Sequence, residues 1–527
     1  MSVSDTGESQ RRRGALRGHL PAPPPAALDP LIVAVLAAAV SLGGAGRPSF
    51  WYDEAATISA SYSRSLGQLW QMLSHVDAVH GLYYVLMHGW FQIFPPTEFW
   101  SRVPSGLAIG GAAAGVVVLG KQFSSRTVAV ASGVVCAILP RTTWAGVEAR
   151  PYGLSMLAAV WLAVLLVRAT RRDDAWVWLS YGIAQAVSIV FDVYLVLLLL
   201  AHLAFICVFR RSRTVLARFA ITSVLACCAV TPFLFAATGQ ARQISWIAPI
   251  GRRTIEDVVV QQYFERSPPF AILSGLVIAT AIVLWRWGST RLAGPEQQLL
   301  TIAVGWLAIP TALIVIWSAL VHPIYTPRYL SFTAPAVALV LGVCIGCIAA
   351  VAATPWAATA VVTLFAVAAA PNYIWVQRNQ YAKYGMDYSQ VADLISAKAA
   401  PGDCLLVNDT VTFMPAPMRP LLAARPDAYR RLIDLTLWQR ATDRNAVFDT
   451  NLIPEVVAKP LSHCGVVWIV TQADKSVPDH EQGTVLPPGQ RFGETPAFSV
   501  PRDLGFRLVE RWQFNLVQVI KAEHSGR

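Results

Sequence analysis

The chain has 527 residues, 55% of them hydrophobic and only 14% charged, against about 45–50% and about 25% in an ordinary soluble protein, which excludes a single soluble core. Its net charge of +11 would point to nucleic acid if the basic residues formed a patch, but they stand in short clusters between apolar runs. That is the pattern of the positive-inside rule, so the basic balance reports membrane topology and implies no nucleic-acid partner.

The N-terminal segment carries Arg11, Arg12, Arg13 and Arg17 ahead of a Pro-rich run from Pro21 to Pro25. It lacks the layout of a cleaved signal peptide and reads as a disordered cytoplasmic tail over 1–29. Apolar stretches that suit a crossing of about 20 residues or slightly fewer follow at 30–49, 101–120, 127–145, 152–168, 176–191, 193–209, 216–237, 269–286, 298–320, 329–350 and 355–373. They predict an α-helical polytopic protein of the lipid bilayer, with about 11 transmembrane helices over 30–373. The run 176–209 is too long for one crossing at about 1.5 Å per residue, so a hairpin with Asp192 at its tip is expected, with one long tilted helix as the alternative.

Lys121 and Arg126, then Arg168, Arg171 and Arg172, then Arg210, Arg211, Arg213 and Arg218, then Arg286 and Arg291 fall on alternate loops. With the N-terminal arginines they define a cytoplasmic side. The loop 50–100, the segment 146–151, the loop 238–268, the segment 321–328 and everything after about 374 then face outward, away from the cytoplasm. Cys344 and Cys347 form a CxxC inside an apolar run with no second pair, which reads as helix packing rather than a zinc site.

Residues 374–527 change character, with short apolar runs and frequent Pro, Asp and Arg. Met386 to Ala399 has helical spacing and stops before Pro401-Gly402, and Leu405 to Val407 and Val466 to Val470 read as buried strands. A helix leading through a Pro-Gly turn into a strand predicts an extracytoplasmic α/β domain. Its two cysteines, Cys404 and Cys464, are expected to form a disulfide in an oxidising compartment.

Intramembrane charges are few, which argues against an ion-coupled transporter. Asp53 and Glu54 follow the first helix directly, beside Trp51 and Tyr52, where a carboxylate at the membrane surface can take a proton or hold a divalent ion. Ile58 to Leu73 has the spacing of a helix lying in the interface. It leads into His75-Val76-Asp77-Ala78-Val79-His80-Gly81-Leu82-Tyr83-Tyr84 and an aromatic stretch ending at Pro95-Pro96. The loop 238–268 mixes Arg242, Trp246, Glu256, Asp257, Tyr263 and Arg266, which suits either carbohydrate or an ordinary interfacial loop.

This order resembles the membrane glycosyltransferases of the GT-C class, in the bacterial branch related to protein O-mannosyltransferases and lipid A aminoarabinose transferases. The carrying features are an acidic pair after helix one, interfacial helices in the first outer loop, a D-x-x-H-x-x-Y-Y segment and a Trp-Phe helix. Glu148-Ala149-Arg150-Pro151-Tyr152 is similar to the family's E-A-R-x-Y, and Tyr325-Thr326-Pro327-Arg328-Tyr329 to its outer R-Y, so the resemblance spans most of 30–350. His80-Gly81-Leu82 departs from the His-Pro-Pro that the family often has before its tyrosines. The Ala-, Arg- and Trp-rich composition is similar to that of high-GC actinobacteria, where polyprenyl-phosphate mannose and arabinose both serve as donors.

The resemblance implies an inverting transferase moving a sugar, mannose first and arabinofuranose or another pentose as the rival, from a polyprenyl-phosphate donor. The acceptor is an envelope glycan, lipoglycan or protein on the outer face. Asp53 is the implied general base, and Glu54 orients the acceptor or binds a divalent metal with His80. Arg328 and Arg150 hold the donor phosphate, although snorkelling of Arg328 and a local Arg150 to Glu148 pair are open alternatives. His75, Asp77, His80, Tyr83 and Tyr84 are candidates to line the acceptor groove, as is Asp192, unless it only caps a helix. A lipid-linked sugar flippase is the competing class.

Overall fold

The computed structural model describes residues 26–172, 174–210, 212–410, 414–425 and 429–526. The tail expected over 1–29 lies outside them up to residue 25, and Arg211 does too; Ala26–Leu28 already forms a helical turn leading into α1.

All eleven apolar segments are helical. They are α1 (Asp29–Leu42), α5 (Glu98–Lys121), α6 (Arg126–Ile138) with α7 (Pro140–Ala145), α8 (Tyr152–Arg172), α9 (Ala175–Phe191), α10 (Leu198–Phe209), α11 (Arg213–Gly239), α12 (Pro268–Arg286), α13 (Gly294–Leu320), α14 (Ala334–Ala352) and α15 (Ala357–Pro371). Between α1 and α5 lie α2 (Tyr52–Ser61), α3 (Leu66–Leu73) and α4 (Gly81–Phe91). Among the described residues seven helices are long and apolar enough to cross a membrane, and four shorter apolar ones accompany them: Ala26–Leu42, Arg126–Ile138, Ala175–Phe191 and Val193–Phe209. The chain is a multi-pass membrane protein.

Local chemistry sets the helix ends. The first expected span, 30–49, stops at Leu42 because Gly43 leaves the helical region and Gly44 turns left-handed at φ 71°. The span 127–145 breaks before Pro140, which starts α7 because proline cannot donate to the preceding turn. Asp192 ends α9 with an extended backbone and caps the turn Val193–Leu197, so the continuous-helix alternative for 176–209 does not form. The expected interfacial helix 58–73 is two helices. The first, α2, is buried from Glu54 to Ser61 rather than lying in the interface, while α3 starts at a Ser65 and Gln68 capping box and exposes Leu66 and Trp70.

The loops carrying the basic clusters meet at one end of the bundle. Asp29 pairs with Lys121 at 2.6 Å and Arg126 at 2.7 Å, Arg171 donates to the Gln122 carbonyl at 2.9 Å, and Ser124 donates to Glu296 at 2.7 Å. Close helix packing depends on missing side chains: a Cβ on Gly110 of α5 would lie 2.8 Å from the Ala34 carbonyl of α1. Cys344 and Cys347 are buried free thiols on α14.

At the opposite end the chain continues through α16 (Tyr388–Lys398) into a six-stranded sheet, with α17 (Met418–Ala423) and α18 (Pro496–Asp503) outside it. The strands are β1 (Cys404–Val407), β2 (Ile433–Asp434), β3 (Val466–Gln472), β4 (His480–Gln482), β5 (Phe506–Gln513) and β6 (Val517–His524), in the order β2-β1-β3-β6-β5-β4. β1 is parallel to β2 and β3, and the remaining pairs are antiparallel. Alternation along the strands gives the sheet two apolar faces. Leu405, Val407, Trp468, Val470, Val517 and Val519 share one cluster with Phe50, Trp51, Ile58, Tyr83, Tyr84 and Met87, so this face is the floor under α2 and α4. Cys404, Leu406, Val467, Ile469 and Ile520 form the other core, where Cys404 and Cys464 are joined in a disulfide with Cα atoms 6.1 Å apart.

The crosslink spans a sequence separation of 60 residues, for which loop closure predicts about 4 kcal/mol of stabilisation. Cys404→Ser with Cys464→Ser should therefore lower the apparent melting midpoint of the detergent-solubilised protein, while reductant lowers wild type and leaves the double variant unchanged.

Candidate active site

The site is built where α2 begins. Trp51 is extended, Tyr52 starts the helix, and Asp53 and Glu54 occupy the first turn, where the helix dipole favours acids. Successive residues on a helix point about 100° apart, so the two carboxylates face different surroundings.

Glu54 faces inward and is fully buried. Its Oε1 accepts from Arg102 Nε at 2.8 Å and from the Ala149 N–H at 2.9 Å, and its Oε2 accepts from Arg102 Nη2 at 2.6 Å. Arg102, on α5, also donates to the carbonyls of Ala45, Pro48 and Ser49. With three protein donors on its two oxygens and no exposed surface, Glu54 presents no oxygen to an acceptor or a metal ion in the cleft. Its role is structural, which corrects the sequence reading.

Asp53 faces outward with 19% of its side chain exposed, and its Oδ2 lies 3.7 Å from Arg328 Nη2. Arg328 sits in the turn Pro327–Thr333 ahead of α14. Its guanidinium stacks against Trp51, Trp246 and Tyr329 at 5.3, 5.0 and 5.6 Å from their ring centroids, and Nη1 donates to the Tyr384 hydroxyl at 3.3 Å. Arg150 approaches from the segment before α8. It donates to the Asp53 carbonyl at 3.5 Å, to the Tyr84 hydroxyl at 3.1 Å and to His80 Nε2 at 2.6 Å. The Tyr84 hydroxyl in turn donates to Asp77 Oδ2 at 2.8 Å.

Because a guanidinium only donates, His80 Nε2 must accept and the ring is neutral. Burial, then the charges of Arg150 and Arg328, hold its pKa well below the usual imidazole value. Burial raises the carboxyl of Asp77, with Arg150 and the Tyr84 hydroxyl opposing it. Asp77 is left-handed at φ 61°, an uncommon conformation that Asp tolerates better than most residues. The preceding turn is clamped by Gln240, which donates to the Leu73 carbonyl and accepts from the Ala78 N–H.

Of the other expected site residues, His75 is exposed and bonds the Gln71 carbonyl and Ser74 hydroxyl at the end of α3, a helix-end role away from the cluster. Tyr83 is buried beneath the site, and its hydroxyl has no hydrogen-bond partner among the described residues. Asp192 caps its own turn through the Tyr194 N–H at 3.0 Å, and burial pushes its pKa up to about 6. Tyr194 stacks on Tyr329 at 5.5 Å, so Asp192 stands one layer behind the Arg328 cage. From the loop 238–268 only Trp246 reaches Arg328; Tyr263 is buried in a network with Gln262 and Thr311, and Arg242, Glu256 and Arg266 are exposed. Glu148 pairs with Lys383 and accepts from Trp51 Nε1 at 2.9 Å, so the local pair with Arg150 does not form. With Glu54 committed to Arg102 and His80 to Arg150, the donors do not fit a divalent ion, and the described residues contain no group of three metal-ligating side chains.

Sequence reasoning missed Arg102, Lys383 and Tyr384, which lie far away in sequence and carry no motif; Trp51 and Trp246 had a signal only as the aromatic neighbour of the acids and as one aromatic of the loop 238–268.

No protein-family model and no curated protein sequence matches the chain. Among solved structures it is similar to ArnT from Cupriavidus metallidurans in the apo state, with 13% identity over 93% of this chain and 97% of that one at a TM-score of 0.55. ArnT bound to undecaprenyl phosphate gives 13% identity over 94% and 98% at the same TM-score of 0.55. The fold is that of the GT-C class. The archaeal oligosaccharyltransferase AglB from Archaeoglobus fulgidus, in complex with an inhibitory peptide and a dolichol-phosphate, matches with 12% identity over 84% of this chain and 69% of that one at a TM-score of 0.45.

Two outcomes follow for this GT-C bundle. Glu54→Leu strands a buried guanidinium and should cost about 3–5 kcal/mol, whereas Glu54→Leu with Arg102→Leu should recover only part of that loss in thermal unfolding, because the Ala45, Pro48 and Ser49 carbonyls then lose their donor. For His80, the folded ring stays neutral while the unfolded ring takes up a proton near the ordinary imidazole value of about 6.5. Its stabilising contribution is therefore present above that pH and is lost toward the depressed folded value, at no more than roughly 1.4 kcal/mol per pH unit. The melting midpoint should fall on acidification, and His80→Gln, which keeps an acceptor for Arg150, should flatten that fall.

Proposed function

We propose that this protein is an inverting glycosyltransferase that moves a sugar, mannose in the first instance, from a polyprenyl-phosphate donor to an envelope glycan, lipoglycan or protein. The outer face of the plasma membrane is where this happens, with the basic loops on the cytoplasmic side. The reading is carried by one observation: the Asp53 carboxylate lies 3.7 Å from an aromatic-caged Arg328 at the end of a GT-C bundle. The same fold in ArnT is seen bound to undecaprenyl phosphate, which supports a lipid phosphate as the donor's leaving group.

In this reaction the acceptor hydroxyl oxygen attacks the anomeric carbon as the bond from that carbon to the phosphate oxygen breaks, inverting the centre. The hydroxyl proton passes to Asp53, and the electron pair leaves with the lipid phosphate. A carboxylate is a far weaker base than an alkoxide, so proton transfer comes late, when the attacking oxygen has become acidic. Arg328 and Arg150 stabilise the phosphate charge in a site of low dielectric, where a fixed guanidinium acts more strongly than in water. His80, Tyr84 and Asp77 wall the acceptor side. A flippase would need its polar machinery along the translocation path near the midplane, and the Asp53, Arg150 and Arg328 cluster at one end of the bundle favours transfer.

Membranes with expression-matched wild type or Asp53→Asn are to be supplied with polyprenyl-phosphate radiolabelled in mannose and, separately, in arabinose. Wild type should label an envelope acceptor from one donor, mannose by this reading, and Asp53→Asn should lower the rate by about 10²–10⁴-fold. Equal transfer by both proteins would remove Asp53 as the base; labelling from arabinose alone would make the enzyme a pentose transferase.

A further inference from the structure

Arg328 is fixed mainly through the faces of its guanidinium, and two of the groups that hold it are themselves governed by a buried ion pair. Trp51 lies against the guanidinium and touches the Tyr384 ring, with centroids 4.8 Å apart. The Trp51 Nε1 donates to Glu148 Oε2 at 2.9 Å, which sets the rotation of the indole. The other Glu148 oxygen is paired with Lys383, the residue preceding Tyr384, and the two side chains are 0% and 3% exposed. Tyr384 has φ 55° and is followed by Gly385 at φ 77°. A left-handed backbone is unfavourable for tyrosine and persists only where its surroundings impose it. Here Lys383 anchors one side of the turn and Asn515 Nδ2, donating to the Gly385 carbonyl at 2.7 Å, anchors the other. A buried ion pair is commonly no more stabilising than well-packed apolar residues, so stability alone does not account for this one, whereas control of geometry does.

We propose that Glu148 and Lys383 are positioning residues for the donor phosphate, holding Trp51 and Tyr384 so that Arg328 keeps its hydrogen-bonding edge turned toward the site. This rests on the reading of Arg328 as a phosphate-binding group. Neither residue touches the lipid phosphate; both act through the rings.

The test is binding of radiolabelled undecaprenyl phosphate to the purified full-length protein, with the dissociation constant and the number of sites read separately. Glu148→Leu with Lys383→Met removes both charges and the acceptor for Trp51; it should weaken binding about tenfold with the number of sites unchanged. Glu148→Gln with Lys383→Met removes the same charges but keeps an oxygen for the indole N–H, and should bind within about twofold of wild type. Trp51→Phe alone should match the first double variant, and it carries the same expectation should that variant fail to fold. Identical dissociation constants in the two double variants, or a fall in the number of sites at an unchanged constant, would overturn the proposal and leave the pair purely structural. Absence of binding by wild type would overturn the donor reading itself, and the proposal with it.

Discussion

The arrangement of the site depends on the fully buried Glu54 to Arg102 pair. It ties the first turn of α2 to α5, and through the Ala149 N–H it ties both to the segment that carries Arg150. Removing two ions from water costs several kcal/mol each, and mutual attraction repays this only when every donor is satisfied. Arg102 meets that demand by also bonding the carbonyls of Ala45, Pro48 and Ser49, the turn joining α1 to α2. The next residue along the helix is thereby committed: with Glu54 pinned inward, the helical rotation turns Asp53 toward the opening and Arg328. One acid supplies rigidity, and in the proposed reaction its neighbour supplies the chemistry.

The C-terminal sheet takes part in the same construction. Ser389 is bonded twice across the junction, its Oγ accepting from the Phe50 N–H at 2.9 Å and its N–H donating to Ser49 Oγ at 3.1 Å. Ser59 on α2 donates to the Val447 carbonyl at 2.5 Å, and Tyr52 packs on Phe448 with ring centroids 4.8 Å apart. These contacts, with the shared apolar cluster beneath α2 and α4, make the sheet a wall of the site. A helix as short as α2 has little stability of its own, and burial between bundle and sheet supplies what its length does not.

The apolar segments, the break at Asp192, the strands beginning near Leu405 and Val466 and the Cys404 to Cys464 crosslink were legible because each follows from local pattern: run length, a polar interruption, alternation, compartment. The roles of Asp53 and Glu54 were not. As adjacent acids they are equivalent in a linear reading, and the partner that separates them, Arg102, stands 48 positions away at the very start of an apolar run that reads as simple membrane span. His75 looked like a member of the His-x-Asp-x-x-His stretch, yet the end of α3 claims it, because the carbonyls at a helix terminus need donors and it is the nearest one. Lys383 and Tyr384 were invisible for the opposite reason. Nothing local marks them, and they matter only because the chain returns from the bundle past Trp51 on its way to α16.

The two arginines differ in a way that bears on which meets an incoming anion first. Arg150 is held through its N–H groups, to Tyr84, to His80 and to the Asp53 carbonyl. Its donors are largely spent on the protein, and it acts on the site mainly as fixed charge. Arg328 is held mainly by rings packed on its faces, a contact that uses the cation and leaves the planar donor edge less committed than that of Arg150. Its Nε has no partner among the described residues and its remaining contacts are long, 3.3 Å to the Tyr384 hydroxyl and 3.7 Å to Asp53. A phosphate oxygen at ordinary charge-assisted distance would outcompete both. In the reaction proposed above, its arrival would draw Arg328 from Asp53 and leave that carboxylate free to accept a proton as Arg328 takes up the charge of the leaving phosphate.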